Sequence, residues 1–366
     1  MNTKIYGFIG LGLIGGSIAR AIREKHPASR IIAYDINETT LQTALSDGVI
    51  NEAATTINEQ FSCCDYLFLC APVQKNDENL AAVKKIITPA CLLTDVGSVK
   101  SEIHEAIRSA GLERQFVGGH PMAGSERTGY VNSRALLLEN AYYILSPTDS
   151  VPVEKVEEYR DLVASLGAIP LILDCAQHDY ATAAISHLPH IIAAALVNLV
   201  KSSDNEDGTM KMIAAGGFKD ITRIASSSAQ MWQQICLTNT DNIASLLDDY
   251  INSLTRIRTN LCNRNGDALY ELFDSARIYR DGFIDTPSGP IKAVYTITID
   301  IADEPGALAA IATILALHQI SIKNIGIVHN RETENGVLRI EFYEEESIRK
   351  ASEILSAKGY TVYLKK

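Results

Sequence analysis

The chain has 366 residues, of which 46% are hydrophobic and 21% are charged. These proportions are typical of a soluble protein with two or three domains and substantial buried cores. A formal net charge of −11 argues against nucleic acid as the main partner. The N-terminal segment has neither a basic leader nor a long apolar run, so we expect no signal peptide and no membrane partner.

The seven cysteines are odd in number and show no CxxC spacing. Several of them lie in apolar, strand-like segments, where buried thiols are a better explanation than disulfides. We therefore expect a cytoplasmic protein with reduced cysteines.

Short apolar runs alternate with amphipathic segments over residues 1–174, which predicts βαβ units and a parallel sheet. The predicted strands lie at residues 5–9, 30–34, 65–70, 91–95, 141–145 and 169–173, and residues 17–24 continue a helix. The last two strands are expected to extend the same sheet. The fold class predicted for this part is an α/β Rossmann domain.

Residues 175–284 have helical periodicity and no clear strand, which predicts an all-α domain. Residues 181–200 are largely apolar, but His187, Pro189, His190 and Asn198 interrupt the run. These polar positions favour a buried helix over a membrane span. An apolar helix of this kind needs cover, which predicts a homodimer formed through the helical domain.

Pro287, Gly289 and Pro290 indicate a linker at residues 285–292. The rest of the chain, residues 293–366, shows strands at 294–301, 321–328, 337–343 and 360–364 and helices at 307–317 and 345–357. This βαββαβ order predicts a small ferredoxin-like domain.

A GxGxxG motif, Gly10-Leu-Gly-Leu-Ile-Gly15, lies between the first predicted strand and its helix. Its glycines permit a tight turn, close approach to a pyrophosphate and close helix packing, and the helix N-terminus attracts phosphate. Asp35 ends the second strand, where a carboxylate can hold both ribose hydroxyls and would repel a 2′-phosphate. The alternative is a glycine turn without a ligand. We predict an NAD site made by Gly10, Gly12, Leu13, Ile14, Gly15 and Asp35.

Two further polar residues follow predicted strands, at the edge where parallel sheets bind ligands. Ser98, in the segment Asp95-Val-Gly-Ser-Val-Lys100, could bind a substrate hydroxyl and the nicotinamide carboxamide, or it could cap the helix that begins near Lys100. His120 lies in a glycine-punctuated turn, and a neutral imidazole can accept a proton near neutral pH. A dehydrogenase acting on an alcohol fits this pair. We expect the rate to rise as an imidazole of ordinary pKa, about 6.5, loses its proton.

The helical segment adds a second group of candidates. His187 and His190 could bind zinc, but no third ligand has a recognisable spacing, so we expect no metal. Arg223 has a planar fork of donors that suits a carboxylate, although a salt bridge to Asp220 is an alternative role.

Taken together, these motifs resemble the prephenate dehydrogenase family, which also contains the arogenate dehydrogenases. The matching segments are residues 10–15, 95–100, 119–126, 187–190 and 218–223, together with Trp232. The resemblance implies NAD-dependent oxidative decarboxylation of prephenate to 4-hydroxyphenylpyruvate in L-tyrosine biosynthesis. It also implies a Rossmann domain followed by a helical dimerisation domain. Some members carry a chorismate mutase domain that this chain lacks, so we expect no mutase activity.

The resemblance also implies roles for individual residues. His120 would accept the hydrogen bond of the ring hydroxyl, Ser98 would align that hydroxyl, and His187 would support the helix pair. The substrate-binding residues implied are His190, Arg223 and Ser125, and those of a charged gate are Glu126 and Asp220 together with Arg223.

The C-terminal domain resembles ACT domains, which sense amino acids. The segment Asp303-Glu-Pro-Gly-Ala-Leu308 carries this resemblance at the start of a predicted helix. It implies an effector site at Asp303 and Gly306, with Asn324 reaching it from a paired domain. Because L-tyrosine is the end product of the pathway, the expected effector is L-tyrosine.

Three alternatives stay open at this point. An arogenate dehydrogenase would act on an amino acid in place of the keto acid, and His190 beside Arg223 favours prephenate. A β-hydroxyacid or 6-phosphogluconate-type dehydrogenase shares the glycine turn, but the His120 motif does not suit it. A non-catalytic sensor of NAD and amino acids would have no use for His120, Ser98 and Arg223.

Overall fold

The computed structural model describes residues 3–72, 75–124, 127–282, 295–301, 306–328 and 336–364. The chain separates into two compact units, residues 1–269 and 270–366. The strands are β1 Ile5–Ile9, β2 Arg30–Tyr34, β3 Glu52–Ala54, β4 Tyr66–Leu69, β5 Leu92–Asp95, β6 Val117–Pro121, β7 Tyr142–Pro147, β8 Ile169–Ile172, β9 Tyr295–Ile301, β10 Ile322–Val328, β11 Gly336–Phe342 and β12 Val362–Leu364. The helices are α1 Leu13–Lys25, α2 Glu38–Ser46, α3 Asn76–Val83, α4 Ser101–Ala110, α5 Val153–Ser165, α6 Cys175–Thr182, α7 Leu188–Ser203, α8 Thr209–Ile213, α9 Gly216–Thr222, α10 Ala229–Thr238, α11 Thr240–Cys262, α12 Gly266–Gly282, α13 Ala307–Leu317 and α14 Glu345–Ala357.

A five-stranded parallel sheet, in the order β3-β2-β1-β4-β5, forms the centre of the first unit. Its strands are largely apolar because both faces are covered: Phe8 packs in the core on one face and Ile9 in the core on the other. On one face Phe8 stacks on Phe68 with ring centroids 4.8 Å apart. The predicted α/β fold of this region is confirmed, and the helix that follows the glycine motif is α1, which begins at Leu13.

The expectation that the strands near residues 141–145 and 169–173 extend this sheet is wrong. They are β7 and β8, which form a separate three-stranded sheet with β6. In this sheet β6 runs antiparallel to β7, and β7 runs parallel to β8. A single parallel bridge between Leu93 and Phe116 connects the two sheets, so the carboxyl end of β5 still lies beside β6. An apolar run predicts a strand but not its neighbour, which is why the sequence did not reveal the break.

The region from α6 to α12 is helical, as predicted. By length and composition the continuous helix Cys175–Ser203 could cross a membrane. However, its polar residues His178, Asp179 and His187 are buried inside the protein and are hydrogen-bonded there. The expectation of a buried apolar helix is met only in part, because Ile185 and Leu199 are 67% and 61% exposed in the single chain.

The second unit contains a four-stranded antiparallel sheet in the order β10-β11-β9-β12, with α13 and α14. Alternate residues of β9 face a core shared with these helices, including Ile297 and Ile299 against Leu315 and Leu355. The predicted ferredoxin-like βαββαβ fold is confirmed. All seven cysteines of the chain are free thiols, as expected.

Candidate active site

The glycine turn between β1 and α1 has the shape that a dinucleotide pyrophosphate needs. Gly10 has a φ of +93°, and a Cβ there would lie 2.6 Å from the backbone nitrogen of Ala71. At Gly12, by contrast, a Cβ would meet nothing within 4 Å, so the backbone beside the start of α1 is open to a ligand. A Cβ at Gly15 would lie 2.7 Å from the carbonyl oxygen of Gly10, so this glycine permits close packing of α1.

Asp35 is held against this turn. Its Oδ2 accepts a hydrogen bond from the backbone nitrogen of Leu11 at 2.7 Å, and its Oδ1 accepts one from that of Asn37 at 2.8 Å. A carboxylate offers about four acceptor positions, so both oxygens can still accept hydrogen bonds from ribose hydroxyls. Leu13 and Ile14 begin α1 directly beside the turn. The residues present therefore fit an NAD molecule.

A buried ion pair organises the loop that carries Ser98. The Lys100 ammonium, which is fully buried, donates to Asp95 Oδ2 and, at 2.8 Å, to the carbonyl of Gly119. Asp95 in turn accepts from the backbone nitrogens of Gly97 at 2.8 Å and Gly119 at 3.1 Å. The pair thus links the loop after β5 to β6, and it brings the segments of Ser98 and His120 together.

His120 lies on strand β6, and not in a turn as the glycines around it suggested. Its backbone pairs in register with Ile144 of β7, which gives the imidazole a rigid support. Burial, and then the neighbouring His178, Lys100 and His187, lowers the pKa of His120 well below 6.5, while Asp179 acts to raise it. The ring is therefore neutral near pH 7 and can accept a proton.

Two residues that the sequence did not single out lie behind His120. Nδ1 of His120 is 2.8 Å from Nε2 of His178, and Nδ1 of His178 is 2.7 Å from Oδ1 of Asp179. His178 and Asp179 are 0% and 1% exposed. The adjacent His-Asp pair near the start of the predicted helical region was the only signal for them, and two neighbouring polar residues do not by themselves indicate a buried site.

The same Asp179 carboxylate caps the N-terminus of helix α4. It accepts hydrogen bonds from the backbone nitrogens of Lys100 at 2.7 Å and Ser101 at 2.8 Å. These donors belong to the N-terminus of α4, whose N-cap residue is Lys100. The alternative role of Ser98 as the helix cap is therefore wrong, because Asp179 fills that role from α6. Ser98 remains half-buried in the loop as a candidate substrate ligand.

A π-helical turn, Ala183–His187, separates α6 from α7 within one continuous helix. Leu188 donates to the carbonyl of Ala183, five residues back, as in a π-turn. A regular helix would place His190 roughly 120° around the axis from His178, and one inserted residue reduces this angle to roughly 20°. The π-turn therefore brings the two histidines onto the same face. A local insertion of this kind has no sequence signal that periodicity could detect.

His190 stacks on Trp232 of α10, with ring centroids 3.7 Å apart. Its Nδ1 lies 3.0 Å from the carbonyl oxygen of Ser186, which can only accept, so Nδ1 carries a proton. Burial lowers the pKa of His190, and the hydrogen bond to Ser186 opposes that shift. Within the described part of the chain, the buried Nε1 of Trp232 has no hydrogen-bond partner.

The contacts of His187 indicate a role in holding helices together. Its Nδ1 lies 3.2 Å from Nδ2 of Asn239, which also donates to the carbonyl of Asp179 at 2.8 Å. Burial lowers the pKa of His187 to about 4, so the ring is neutral at pH 7. Asn239 directly precedes α11, so these contacts tie the π-turn to that helix. Among the described residues no group of three potential ligands could hold a metal ion.

Arg223 begins a short 3₁₀ turn, Arg223–Ser226, which packs against α7, the helix of His190. Asp220 lies one turn earlier on α9, and both residues are exposed. Ser125 and Glu126 lie outside the described residues, so their predicted contributions to substrate binding and to the gate stay predictions.

Comparison with known proteins assigns the family. The sequence models of the prephenate dehydrogenase nucleotide-binding domain and dimerization domain match residues 18–170 and 174–275. A prephenate dehydrogenase of Bacillus subtilis is 39% identical over 96% of this chain and 95% of its own length. The chain belongs to the prephenate dehydrogenase family.

Solved structures agree with this assignment. A prephenate dehydrogenase of Aquifex aeolicus, in complex with hydroxyphenyl propionate and NAD+, has a TM-score of 0.73 and 30% identity over 77% of this chain and 99% of that one. An arogenate dehydrogenase of Synechocystis has a TM-score of 0.69 and 28% identity over 76% of this chain and 99% of that one. This member of the prephenate dehydrogenase family is an NAD-dependent dehydrogenase, as the glycine turn and Asp35 predicted.

Proposed function

We propose that this enzyme oxidises prephenate to 4-hydroxyphenylpyruvate with loss of carbon dioxide. The observation that carries the proposal is the position of the neutral His120 imidazole. The buried Asp95–Lys100 pair connects its strand to the Ser98 loop. The continuous helix Cys175–Ser203, which also carries His190, supplies His178, the buried partner of His120. A proton acceptor, a hydroxyl ligand and a candidate carboxylate ligand therefore stand on connected elements.

In this proposal His120 accepts the hydrogen bond of the substrate's ring hydroxyl and then its proton, and Ser98 aligns the same hydroxyl. The NAD that the glycine turn and Asp35 would hold would supply the acceptor for the hydride on the carbon that bears this hydroxyl. Loss of carbon dioxide makes the ring aromatic and leaves the electron pair on the ring oxygen, which takes the proton back from His120. The formation of the aromatic ring drives the reaction forward. The protein needs neither a nucleophile nor a metal for these steps.

Arg223, His190 and Ser125 are proposed to bind the two carboxylates of prephenate, and Glu126 and Asp220 to form a charged gate with Arg223. Because Nδ1 of His190 already donates to Ser186, only a protonated His190 has a second N–H for a carboxylate. The bound substrate would therefore stabilise the proton on His190 against the effect of burial.

The substrate is tested by following NADH absorbance with prephenate and with arogenate in parallel. We expect prephenate to give a kcat/KM at least about tenfold higher, because the proposed side-chain ligands are cations, which would repel the ammonium group that arogenate carries in place of the keto oxygen. A preference for arogenate would make the enzyme an arogenate dehydrogenase, like the Synechocystis protein of similar structure. No NADH from either compound would favour a non-catalytic sensor.

A homodimer through the helical domain is part of the proposal. Large apolar side chains lie exposed along the helices, among them Leu199 at 61% and Phe273 at 73%. A second copy of the chain would remove such surface from water, as the name of the matched dimerization domain suggests. Sedimentation equilibrium should give twice the chain's 39.9 kDa mass, and a monomer at micromolar concentration would contradict this.

A cytoplasmic location is also part of the proposal. The free thiols of this chain and its similarity to the prephenate dehydrogenase of Bacillus subtilis support it.

The C-terminal ferredoxin-like unit is proposed to act as an ACT domain that binds L-tyrosine as a feedback inhibitor. Gly306 has a φ of +94° and precedes α13, and a Cβ there would meet nothing within 4 Å. Asn324 is exposed on β10, whereas Asp303 lies outside the described residues. Asn324→Ala should weaken inhibition by tyrosine without changing the uninhibited rate. Unaltered inhibition in this variant would show that the effector binds at another site.

A further inference from the structure

The pair of buried residues behind His120 has no part in the steps described so far. A role for His178 and Asp179 follows from the positions of the hydrogen atoms on His120, His178 and Asp179. Asp179 is at one end, His178 is in the middle, and His120 is at the end that meets substrate, with contacts of 2.7 and 2.8 Å. Both rings are held by secondary structure, His120 on β6 and His178 on α6.

Asp179 is a carboxylate at working pH. Burial acts to raise its pKa, but hydrogen bonds from His178, Ser101 and Lys100 outweigh that effect and lower the pKa to about 2. Its two oxygens therefore act only as acceptors. Because the backbone donors of α4 hold the carboxylate, its position does not depend on the histidines.

When both rings carry a single N–H, the carboxylate determines every proton position along the three side chains. Since Asp179 accepts, Nδ1 of His178 must donate. A neutral imidazole carries one N–H, so Nε2 of His178 is bare and accepts. The proton between the two rings then belongs to Nδ1 of His120. Nε2 of His120 is left bare, which is the form that can accept a proton from a hydroxyl.

We propose that His178 and Asp179 are positioning residues that hold His120 in the tautomer with a bare Nε2 and that support the imidazolium formed during the reaction. This inference rests on the proposed proton transfer to His120. As the substrate's O–H bond breaks, its proton forms the N–H bond at Nε2 of His120. The Nδ1 proton of His120 remains hydrogen-bonded to His178, whose own proton is held by Asp179. The new positive charge therefore faces a carboxylate through one intervening ring.

Other charged and titratable groups near His120 act against the protonated form. Lys100, His178 and His187 lower the pKa of His120, whereas Asp179 raises it. Among the described groups that shift the pKa of His120, Asp179 is the anion that raises it. An imidazolium in this partly buried setting would lack compensation without it.

The tautomer can be measured directly on the full-length enzyme without substrate or cofactor. Nitrogen-15 NMR of histidine-labelled protein distinguishes a protonated from a bare ring nitrogen, and the signals of His120 among the eight histidines are those lost in His120→Asn. We expect a protonated Nδ1 and a bare Nε2 at pH 7.5. A protonated Nε2 on His120 in the wild-type enzyme would overturn the proposal. This result does not depend on which substrate the enzyme uses.

Variants of His178 separate positioning from packing. His178→Leu removes the acceptor and should lower kcat roughly a hundredfold, with little change in KM for prephenate, while His120 becomes a mixture of tautomers. His178→Gln keeps an acceptor and a donor and should recover part of the rate. The control is Thr182→Val. In the described part of the chain the Thr182 hydroxyl donates to the backbone carbonyls of His178 and Asp179 and not to their side chains, so this variant should keep a near-normal rate.

Two outcomes with these variants would contradict the inference. In the first, His178→Leu keeps kcat within about twofold of wild type. In the second, Thr182→Val loses as much activity as His178→Leu, which would show that helix packing alone matters. If His178→Leu does not fold, the wild-type NMR spectrum and the rate of His178→Gln still test the positioning role. If the wild-type enzyme shows the expected tautomer but does not oxidise prephenate, the proposed substrate fails and the positioning stands.

Discussion

The Lys100 ammonium donates a hydrogen bond to the carbonyl of Gly119 at 2.8 Å, next to His120 in sequence. Because Lys100 also pairs with Asp95 in a fully buried site, one side chain ties the Ser98 loop to the strand of His120. The relative position of two proposed catalytic groups is therefore set by a buried charge, and not by the loop itself.

Replacing this charge should destabilise the protein. Lys100→Met would leave Asp95 buried without its partner, which costs about 3–5 kcal/mol of the free energy of unfolding. Urea unfolding followed by circular dichroism measures this change. The matched control is Lys75→Met, since Lys75 pairs with Glu78 on the surface and should matter by less than about 1 kcal/mol. Equal stability of the two variants would contradict the role given to Lys100.

The two glycines at the start of the cofactor turn should respond differently to alanine. Gly12→Ala has room for its methyl group in the folded protein but places it where the pyrophosphate approaches. We expect normal unfolding and a KM for NAD raised about tenfold or more. Gly10→Ala must strain a φ of +93° and contact Ala71, so it should lose stability. A stable Gly12→Ala enzyme with unchanged KM for NAD would show that the cofactor does not bind here.

The pH dependence should differ from that of an ordinary histidine. Only neutral His120 accepts a proton, and its pKa lies well below 6.5, so protonation removes activity only in acid. We therefore expect the acid limb of kcat/KM to have its midpoint clearly below pH 6.5. The sequence alone predicted a rise through about pH 6.5, and the burial of the ring corrects this. A midpoint at or above 6.5 would mean that His120 is not the acceptor, or is not buried as described.

Arg223 should affect binding more than chemistry. Arg223→Ala is expected to raise KM for prephenate by about tenfold or more with a small change in kcat, because the interaction is made equally in the ground and transition states. Arg223→Lys keeps the charge but loses the fork, so it should give an intermediate KM. A large fall in kcat with unchanged KM would argue against a carboxylate ligand.

The sequence predicted those parts of the site that depend on local motifs. The glycine turn and Asp35 are such features, since a strand, a turn and a helix fix their geometry within 35 residues. His120 was identified from its surroundings, but its strand was taken for a turn because glycine is common in turns.

The partners of His120 could not be predicted in the same way. His178 lies 58 positions away, and the two meet only because α6 packs beside β6 and β7. Asp179 caps a helix that begins 78 residues earlier, so the expected local cap at Ser98 was wrong. The π-turn that aligns His190 with His178 is equally invisible to a periodicity of 3.6 residues.

The central claim is that His120 takes the proton of the substrate hydroxyl as hydride leaves. The most direct measurement is the steady-state formation of NADH from prephenate by the wild-type enzyme and by His120→Asn, with NAD binding checked by fluorescence. The account predicts unchanged NAD affinity and a kcat lowered roughly a hundredfold or more, the scale of a lost acid–base group. A His120→Asn enzyme that turns over prephenate at a near-normal rate would contradict it.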